Sequence, residues 1–379
     1  MYDLRLLAVG VLVIVMGVVS TAEGESSVRH TRKTKAFVHP GVMHTLEDLK
    51  FIHGKIESQA EPWYSAWNEM RKHKTSRLSW RSKPHAEILR GPYNNPNRGA
   101  NELLADSAAA YAHALQWCLI KNPKHAEKAV EILNGYGEKV KTIGHHDARL
   151  LVGMAGIKLV AAAELIKHTY DGWAEKGRKQ FEKMLRSVMY EVIKDFYPSA
   201  NGNWDASMIQ TMMAMGIFLD DHAMFDRAAN YFLRGKGNGC ITMYFNAFGQ
   251  CQESGRDQAH TQMGLGFLAN VAELAWKQGV DLYGAADNRL LKGYEYTAKY
   301  NLGHDVPYEP YVSFEKRYHY KKISDKARGR FNPIYERVYH HYVNRKGLKM
   351  PYVKQVLKKI RPQRYSGAFL PWESLTVGN

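Results

Sequence analysis

Residues 250–278 read QCQESGRDQAHTQMGLGFLANVAELAWKQ, and the period of this stretch decides the fold class. From Met263 onward, Leu265, Phe267, Leu268, Val271, Leu274 and Ala275 recur at spacings of three and four, which marks one face of a helix turned inward. Ahead of Met263 the chemistry changes to amides, charges and an imidazole. If the helix begins near Ser254, then Arg256, His260 and Gly264 fall at i, i+4 and i+8 on one side. A cation and a titratable base then lie beside a residue with no side chain, which leaves room for a ligand. An architectural alternative pairs Arg256 with Glu253 or Asp257 and has His260 cap a neighbouring carbonyl. The coincidence of cation and base lifts the functional reading to a par with the architectural one.

The same helical period recurs over most of the chain. Thr45 reads as the N-cap of a helix with Glu47 and Asp48 in its first turn, where the helix dipole favours acids. Trp63, Tyr64 and Trp67 read as a continuation of that helix, and core packing is the commoner fate of such a cluster. Further helices are expected over Leu103–Ile120, Pro123–Val140, Ala148–His168, Trp173–Phe196, Ala206–Phe218 and Asp221–Leu233, each closed by a Gly, Pro or Asn signal. Another is expected over Leu290–Leu302. No run of period-two alternation precedes residue 236. Successive antiparallel helices joined by short loops imply an all-α architecture, an (α/α) toroid forming an incomplete barrel of antiparallel helix pairs, in one domain over 37–379. The segment Ser82–Ala100, rich in Pro, Gly and Asn, is a loop long enough to be functional. Of three cysteines, Cys118 reads as a buried thiol, and Cys240 and Cys251 are spaced to bridge a short loop.

At the amino end, Leu6–Val19 is an apolar run preceded by Arg5 and followed by Ser20-Thr21-Ala22, the pattern of a signal peptide over 1–22 cleaved after Ala22. The run falls short of the roughly 20 residues a membrane span needs. A basic linker, 23–36, follows. The formal net charge is +16, and removing residues 1–22 takes away one acid, Asp3, and one base, Arg5, so the excess persists. The partner should be an anion. No zinc-finger spacing or aromatic RNA-binding motif is present, so nucleic acid is not expected. A secreted or periplasmic chain with this charge suits an anionic polysaccharide instead. The region 307–347 is dense in Tyr, His, Arg and Lys, which places much of the charge late in the chain.

Five motifs carry a family resemblance: HPG-x-x-x-T-x-x-D-L from His39, N-x-G-x-x-x-L-x-x-D over Asn97–Asp106, NGNW over Asn201–Trp204, ESGRDQAHTQMGLG over Glu253–Gly266, and YTAKYN over Tyr296–Asn301. Together these resemble the alginate lyase superfamily of α/α-toroid polysaccharide lyases. The resemblance spans roughly residues 37–302 and implies β-elimination on a polyuronate such as mannuronan or glucuronan. Two departures mark a divergent branch, similar to polysaccharide lyase family 38. Trp204 follows Asn203 where better-known members carry Asn-His, and Met263 stands where they carry a Tyr seven residues after the Arg.

Elimination needs donors that neutralise the uronate carboxylate while charge develops at C5, together with a base for the C5 proton and an acid for the leaving O4. Asn203 and Arg256 are the expected donors, and His260 and Tyr300 the expected proton-transfer pair. His146, Arg149, Trp204, Gln252, Glu253 and Tyr296 are expected to contact substrate. His145 and His146, with Arg149 one turn along, read equally well as a helix cap. No cofactor is expected, and the absence of a compact acidic group or His-x-Glu arrangement argues against a metal. Two rivals share the fold: a glycoside hydrolase using two of Asp205, Glu253 and Asp257, and a polysaccharide-binding protein that has no use for His260.

Overall fold

The structure, a computed structural model, describes residues 36–377. The expected signal peptide, and all of the expected linker but Ala36, lie outside the described residues. Helix α1 (Leu46–Glu57) begins at Thr45, whose hydroxyl accepts from the Asp48 N–H while the Asp48 carboxylate accepts from the Thr45 N–H. It ends at Glu57, and the Trp63–Trp67 cluster belongs to a separate helix, α2 (Trp63–Lys72), because Pro62 has no N–H with which to carry a helical ladder through. Trp67 is buried and Trp63 Nε1 donates to the Val377 carbonyl at 3.1 Å, so both indoles serve packing.

The remaining helices are α3 (Ala100–Ile120), α4 (Pro123–Lys139), α5 (Ala148–Thr169), α6 (Glu175–Met184), α7 (Tyr190–Ile193), α8 (Gly202–Phe218), α9 (His222–Arg234), α10 (Ile241–Tyr244), α11 (Gln258–Lys277), α12 (Ala285–Asn301), α13 (Glu336–Tyr339), α14 (Pro351–Ile360) and α15 (Glu373–Thr376). The single helix expected over 173–196 is interrupted, because a π-helical turn at Leu185–Met189 separates α6 from α7.

Helices α3, α5, α8 and α11 are buried on nearly every face, whereas α4, α6, α9 and α14 bury one stripe each. The first set is therefore the inner wall and the second the outer. Along the inner wall α3 packs on α5, α5 on α8 and α8 on α11. The turns at Lys121–Asn122 and Leu219–Asp221 reverse the chain, so each outer helix returns antiparallel and the inner helices begin at a common end. This is the all-α, (α/α) toroid of the sequence reading. Buried amides fasten the inner wall at mid-height: Gln210 Nε2 donates to the Gly153 carbonyl at 2.8 Å, and Asn270 Nδ2 donates to Gln210 Oε1 at 2.9 Å.

Short strands, too brief to show alternation, were not expected ahead of residue 236. Strands β1 (Glu87–Arg90), β2 (Asn97–Arg98) and β3 (Thr142–Gly144) form one sheet in the order β2-β1-β3, with β1 and β3 parallel. The sheet ties the long 82–100 loop to the start of α5. Strands β4 (Tyr311–Val312) and β5 (His319–Tyr320) form a hairpin.

Two expectations in the opening stretch need correction. Helix α11 starts at Gln258, not near Ser254, because Asp257 is its N-cap and accepts from the His260 N–H at 2.8 Å. Arg256 therefore precedes the helix. Gly264 does not open a cavity, since a Cβ there would overlap the Tyr244 phenol that already fills the space. Cys240 and Cys251 are buried free thiols, as is Cys118.

The closeness of the inner helices yields a test. A Cβ on Gly153 of α5 would overlap the side chain and backbone of Ser207 on α8. Helix propensity alone would make Gly153→Ala stabilising by about 1 kcal/mol, whereas overpacking costs about 1–3 kcal/mol. We expect the net effect to be a lower denaturation midpoint in urea. A raised midpoint would mean that α5 and α8 separate without cost.

Candidate active site

The starts of α5, α8 and α11 meet at the common end of the inner wall. Gln252 joins two of them, its Oε1 accepting from the Gly202 N–H and its Nε2 donating to Asn201 Oδ1, both at 2.8 Å. The next residue, Glu253, is fully buried. Its Oε2 accepts from the Asn203 N–H and the Tyr244 hydroxyl, each at 3.0 Å, and its Oε1 accepts from Arg256 Nη1 at 2.8 Å. Burial raises the Glu253 carboxyl above its ordinary range, against the pull of Arg256 and His260. Such a buried carboxylate is tolerable only with these partners.

Two groups beside Glu253 keep unused hydrogen-bonding capacity. Arg256 is held through Nη1, and its side chain remains 28% exposed, which leaves guanidinium donors for a ligand. The Asn203 side chain donates from Nδ2 to Met263 Sδ at 3.4 Å, while its Oδ1 is buried with no partner. A thioether is a weak acceptor, so the amide gives up little by turning to a stronger one.

His260, in the first turn of α11, is oriented by the same carboxylate that caps the helix. Asp257 Oδ2 lies 2.6 Å from His260 Nδ1, and the imidazole side chain is 35% exposed. With a proton on Nδ1 shared with Asp257, Nε2 is the nitrogen that accepts. Burial alone would raise the Asp257 carboxyl, but hydrogen bonds from the His260 ring and N–H bring it down to about 2.

A wall of cations and aromatics extends from this group. Tyr197 has the Arg149 guanidinium 5.1 Å from its ring centre and the Arg317 guanidinium 5.5 Å away, and Arg317 Nη1 donates to its hydroxyl at 3.0 Å. Trp204 meets Tyr197 and His146 edge to face, with centroids 5.7 and 5.5 Å apart. His146 Nδ1 pairs with Asp147 Oδ1 at 2.7 Å, and Arg149 Nε is buried without a partner. The β4–β5 hairpin brings in Tyr320, whose hydroxyl donates to Asn201 Oδ1 at 3.1 Å. Burial and the Glu253 charge push its phenol up to about 12, with Arg256 opposing. Gly255 permits this docking, because a Cβ there would overlap the Tyr308 hydroxyl and the Tyr320 Cβ.

Of the residues singled out in the sequence, Asn203, Gln252, Glu253, Arg256 and His260 thus lie around one buried carboxylate, with His146, Arg149 and Trp204 along the adjoining wall. Tyr296 and Tyr300 are placed differently. The Tyr296 hydroxyl donates to the Pro307 carbonyl at 2.7 Å. Tyr300 is buried beneath the Arg328 guanidinium at 3.9 Å, and the charges that act on it are Arg328, Asp325 and Asp305. The tyrosine beside Arg256 is Tyr320. Sequence reasoning passed over Tyr197, which carried no signal, and Arg317 and Tyr320, whose only signal was the density of Tyr and Arg after residue 307.

The carboxylates available to a hydrolase are all engaged. Asp205 accepts from the Tyr197 N–H and the Tyr231 hydroxyl, each at 2.7 Å, and burial raises it to about 6. Glu253 is enclosed and Asp257 caps α11. The motif residue Asp106 is structural too, since it accepts from Trp80 Nε1, the Lys83 N–H and the Tyr136 hydroxyl and so anchors the start of the 82–100 loop.

The sequence profile of the family described as alginate lyase matches residues 55–306. No curated protein matches the chain. Among solved structures, an alginate lyase from Bacteroides ovatus superposes with a TM-score of 0.62 over 89% of this chain and 99% of its own, at 12% identity. Alginate lyase A1-III from Sphingomonas species A1 gives 0.62 over 90% of this chain and 97% of its own, at 13% identity. A variant of alginate lyase A1-III complexed with tetrasaccharide gives 0.58 over 82% and 89%, at 14% identity. At these identities the structural likeness speaks for the fold.

The Asp257–His260 pair sets a pH dependence. A carboxyl near 2 in the folded protein and near 3.8 when free contributes stability that is present above about pH 4 and lost as pH falls toward 2. Asp257→Asn should therefore be less stable than the parent by about 2 kcal/mol at neutral pH. Urea denaturation at a series of pH values should show that difference shrinking between about pH 4 and pH 2. A difference that is constant across the series would mean that the charge of Asp257 contributes nothing.

Proposed function

Because the chain belongs to the alginate lyase family and is a polysaccharide lyase, we propose that it cleaves an anionic polyuronate, of the mannuronan or glucuronan kind, by β-elimination at the Glu253-centred site. The observation that carries this reading is the convergence of three groups at the positive ends of α8 and α11. These are an underused Asn203 amide, an Arg256 held in place by Glu253, and a His260 oriented by Asp257.

In this mechanism Asn203 and Arg256 hydrogen-bond the carboxylate next to C5 and stabilise the enolate-like charge that appears as the proton leaves. His260 Nε2 takes the C5 proton, and the Asp257 carboxylate stabilises the imidazolium that results, as in other carboxylate-oriented histidines. Tyr320 supplies the proton to the departing O4. A phenol raised in this way stays protonated at working pH, so its proton is in place when O4 departs. No nucleophile is required. Arg149, Arg317 and Trp204 supply charge and a flat apolar face for neighbouring sugars. The tetrasaccharide held by an alginate lyase A1-III variant supports an oligosaccharide-sized occupant of this cleft. The signal-like residues 1–22 and the +16 charge support action outside the cytoplasm on an acidic polymer. A hydrolytic reading is weaker, because Asp205, Glu253 and Asp257 are all committed to protein partners.

The test is the ultraviolet absorbance of the unsaturated product formed from a panel of polyuronates. Arg256→Ala and Asn203→Ala should each lower kcat about 10²–10³-fold, and His260→Ala about 10²–10⁴-fold or more. Tyr320→Phe should be comparably damaging, and Tyr300→Phe should leave turnover within a few fold. A folded His260→Ala protein with near-parental turnover would remove the proposed base. The reverse ranking of the two Tyr variants would return the acid role to Tyr300. Reducing ends without unsaturation would favour a hydrolase.

A further inference from the structure

At the opposite end of the inner wall, a second group of polar side chains lies apart from the proposed chemistry. Glu164 and His168, one turn apart near the end of α5, meet His39 of the segment that precedes α1. The potential ligand atoms of these three residues all lie within 4.8 Å of one another. Arg149 and His168 are separated along α5 by about 28 Å at 1.5 Å per residue, so this cluster takes no part in the elimination site.

Several features distinguish it from an ordinary surface ion pair. Glu164 is fully buried, and its Oε1 already accepts from the Gly41 N–H at 2.9 Å and lies 2.7 Å from His39 Nδ1. Its Oε2 is buried without a hydrogen-bond partner, and so is His168 Nε2, although the two atoms are only 3.6 Å apart. That separation is close to the roughly 3.4 Å between two ligands of a tetrahedral ion with bonds near 2.1 Å. The imidazoles of His39 and His168 stack with centroids 4.5 Å apart, so both edges present nitrogen toward the same carboxylate. The other nitrogen of His39, Nε2, lies 2.9 Å from Asp220 Oδ1, and a carboxylate behind a histidine in this way fixes the ring of a metal ligand.

We infer that His39, Glu164 and His168 form a binding site for a divalent transition ion of the zinc class, with Asp220 as the orienting carboxylate. Two imidazoles and one carboxylate suit zinc, cobalt or nickel better than calcium or magnesium, which favour all-oxygen shells. Binding displaces the proton shared by His39 Nδ1 and Glu164. It joins the segment ahead of α1 to the far end of α5, so the ion acts as a clasp. The sequence hid the site because its members are separated by more than a hundred residues, and only the Glu164-His168 spacing was local.

The experiment uses the full chain stripped of metal by a chelator and dialysed. Titration with Co²⁺, followed by visible absorbance, and with Zn²⁺, followed by calorimetry, should each show one equivalent bound, with a rise in Tm of several degrees under excess Zn²⁺. His168→Ala should abolish the Co²⁺ spectrum. Asp220→Asn, at an exposed position where the fold is not at risk, should weaken binding about 10–100-fold. The apo Tm of each variant reports whether it folds. Absence of stoichiometric binding in the parent, or binding that is unchanged in both folded variants, overturns the assignment.

Discussion

The buried carboxylate of Glu253 is the constraint on which the site depends. It accepts from the backbone at the start of α8, from the phenol of α10 and from the guanidinium ahead of α11, so the start of α8 shares one acceptor with the segment that leads into α11. Removing such a group leaves a half-buried guanidinium and a buried N–H without their acceptor, at a cost of up to about 3–5 kcal/mol. The arrangement explains why Arg256 need not lie on a helix to be well positioned. It also explains why Tyr244 fills the space above Gly264, since its hydroxyl must reach Glu253.

The parallel run of the inner helices supplies the electrostatics. Because each outer helix returns the chain, the first turns of α5, α8 and α11 gather at one end, where the helix dipoles favour anions. Arg149 and Arg317 add full charges beside Tyr197. The positive character of this end therefore comes from the architecture as well as from side chains. Protein carboxylates near this end are drawn into caps or buried networks, as with Asp257 and Asp205.

Much of this was legible along the chain, and the remainder fails for identifiable reasons. The helical period and the Thr45 cap are local signals, and they located the elements closely. The start of α11 was misread because apolar spacing does not reveal which polar residue ends the ladder; Asp257, with its extended backbone and its bond to the His260 N–H, decides it. Asn203, Glu253 and Arg256 could be read together because the NGNW and ESGRD motifs keep them in short segments. Tyr320 could not, because its position depends on a hairpin docking against Gly255, a contact with no local signature. Tyr300 was attractive as part of YTAKYN, yet its environment is set by Arg328, a residue beyond any sequence window.

The β4–β5 hairpin lies beyond residue 306, where the match to the family ends. Asn203 and Arg256 thus belong to the shared toroid, while Arg317 and Tyr320 arrive on a short appendage that docks beside Gly255. An insertion or exchange confined to a dozen residues could re-aim the hydroxyl or alter the spacing of cations without disturbing a single inner helix.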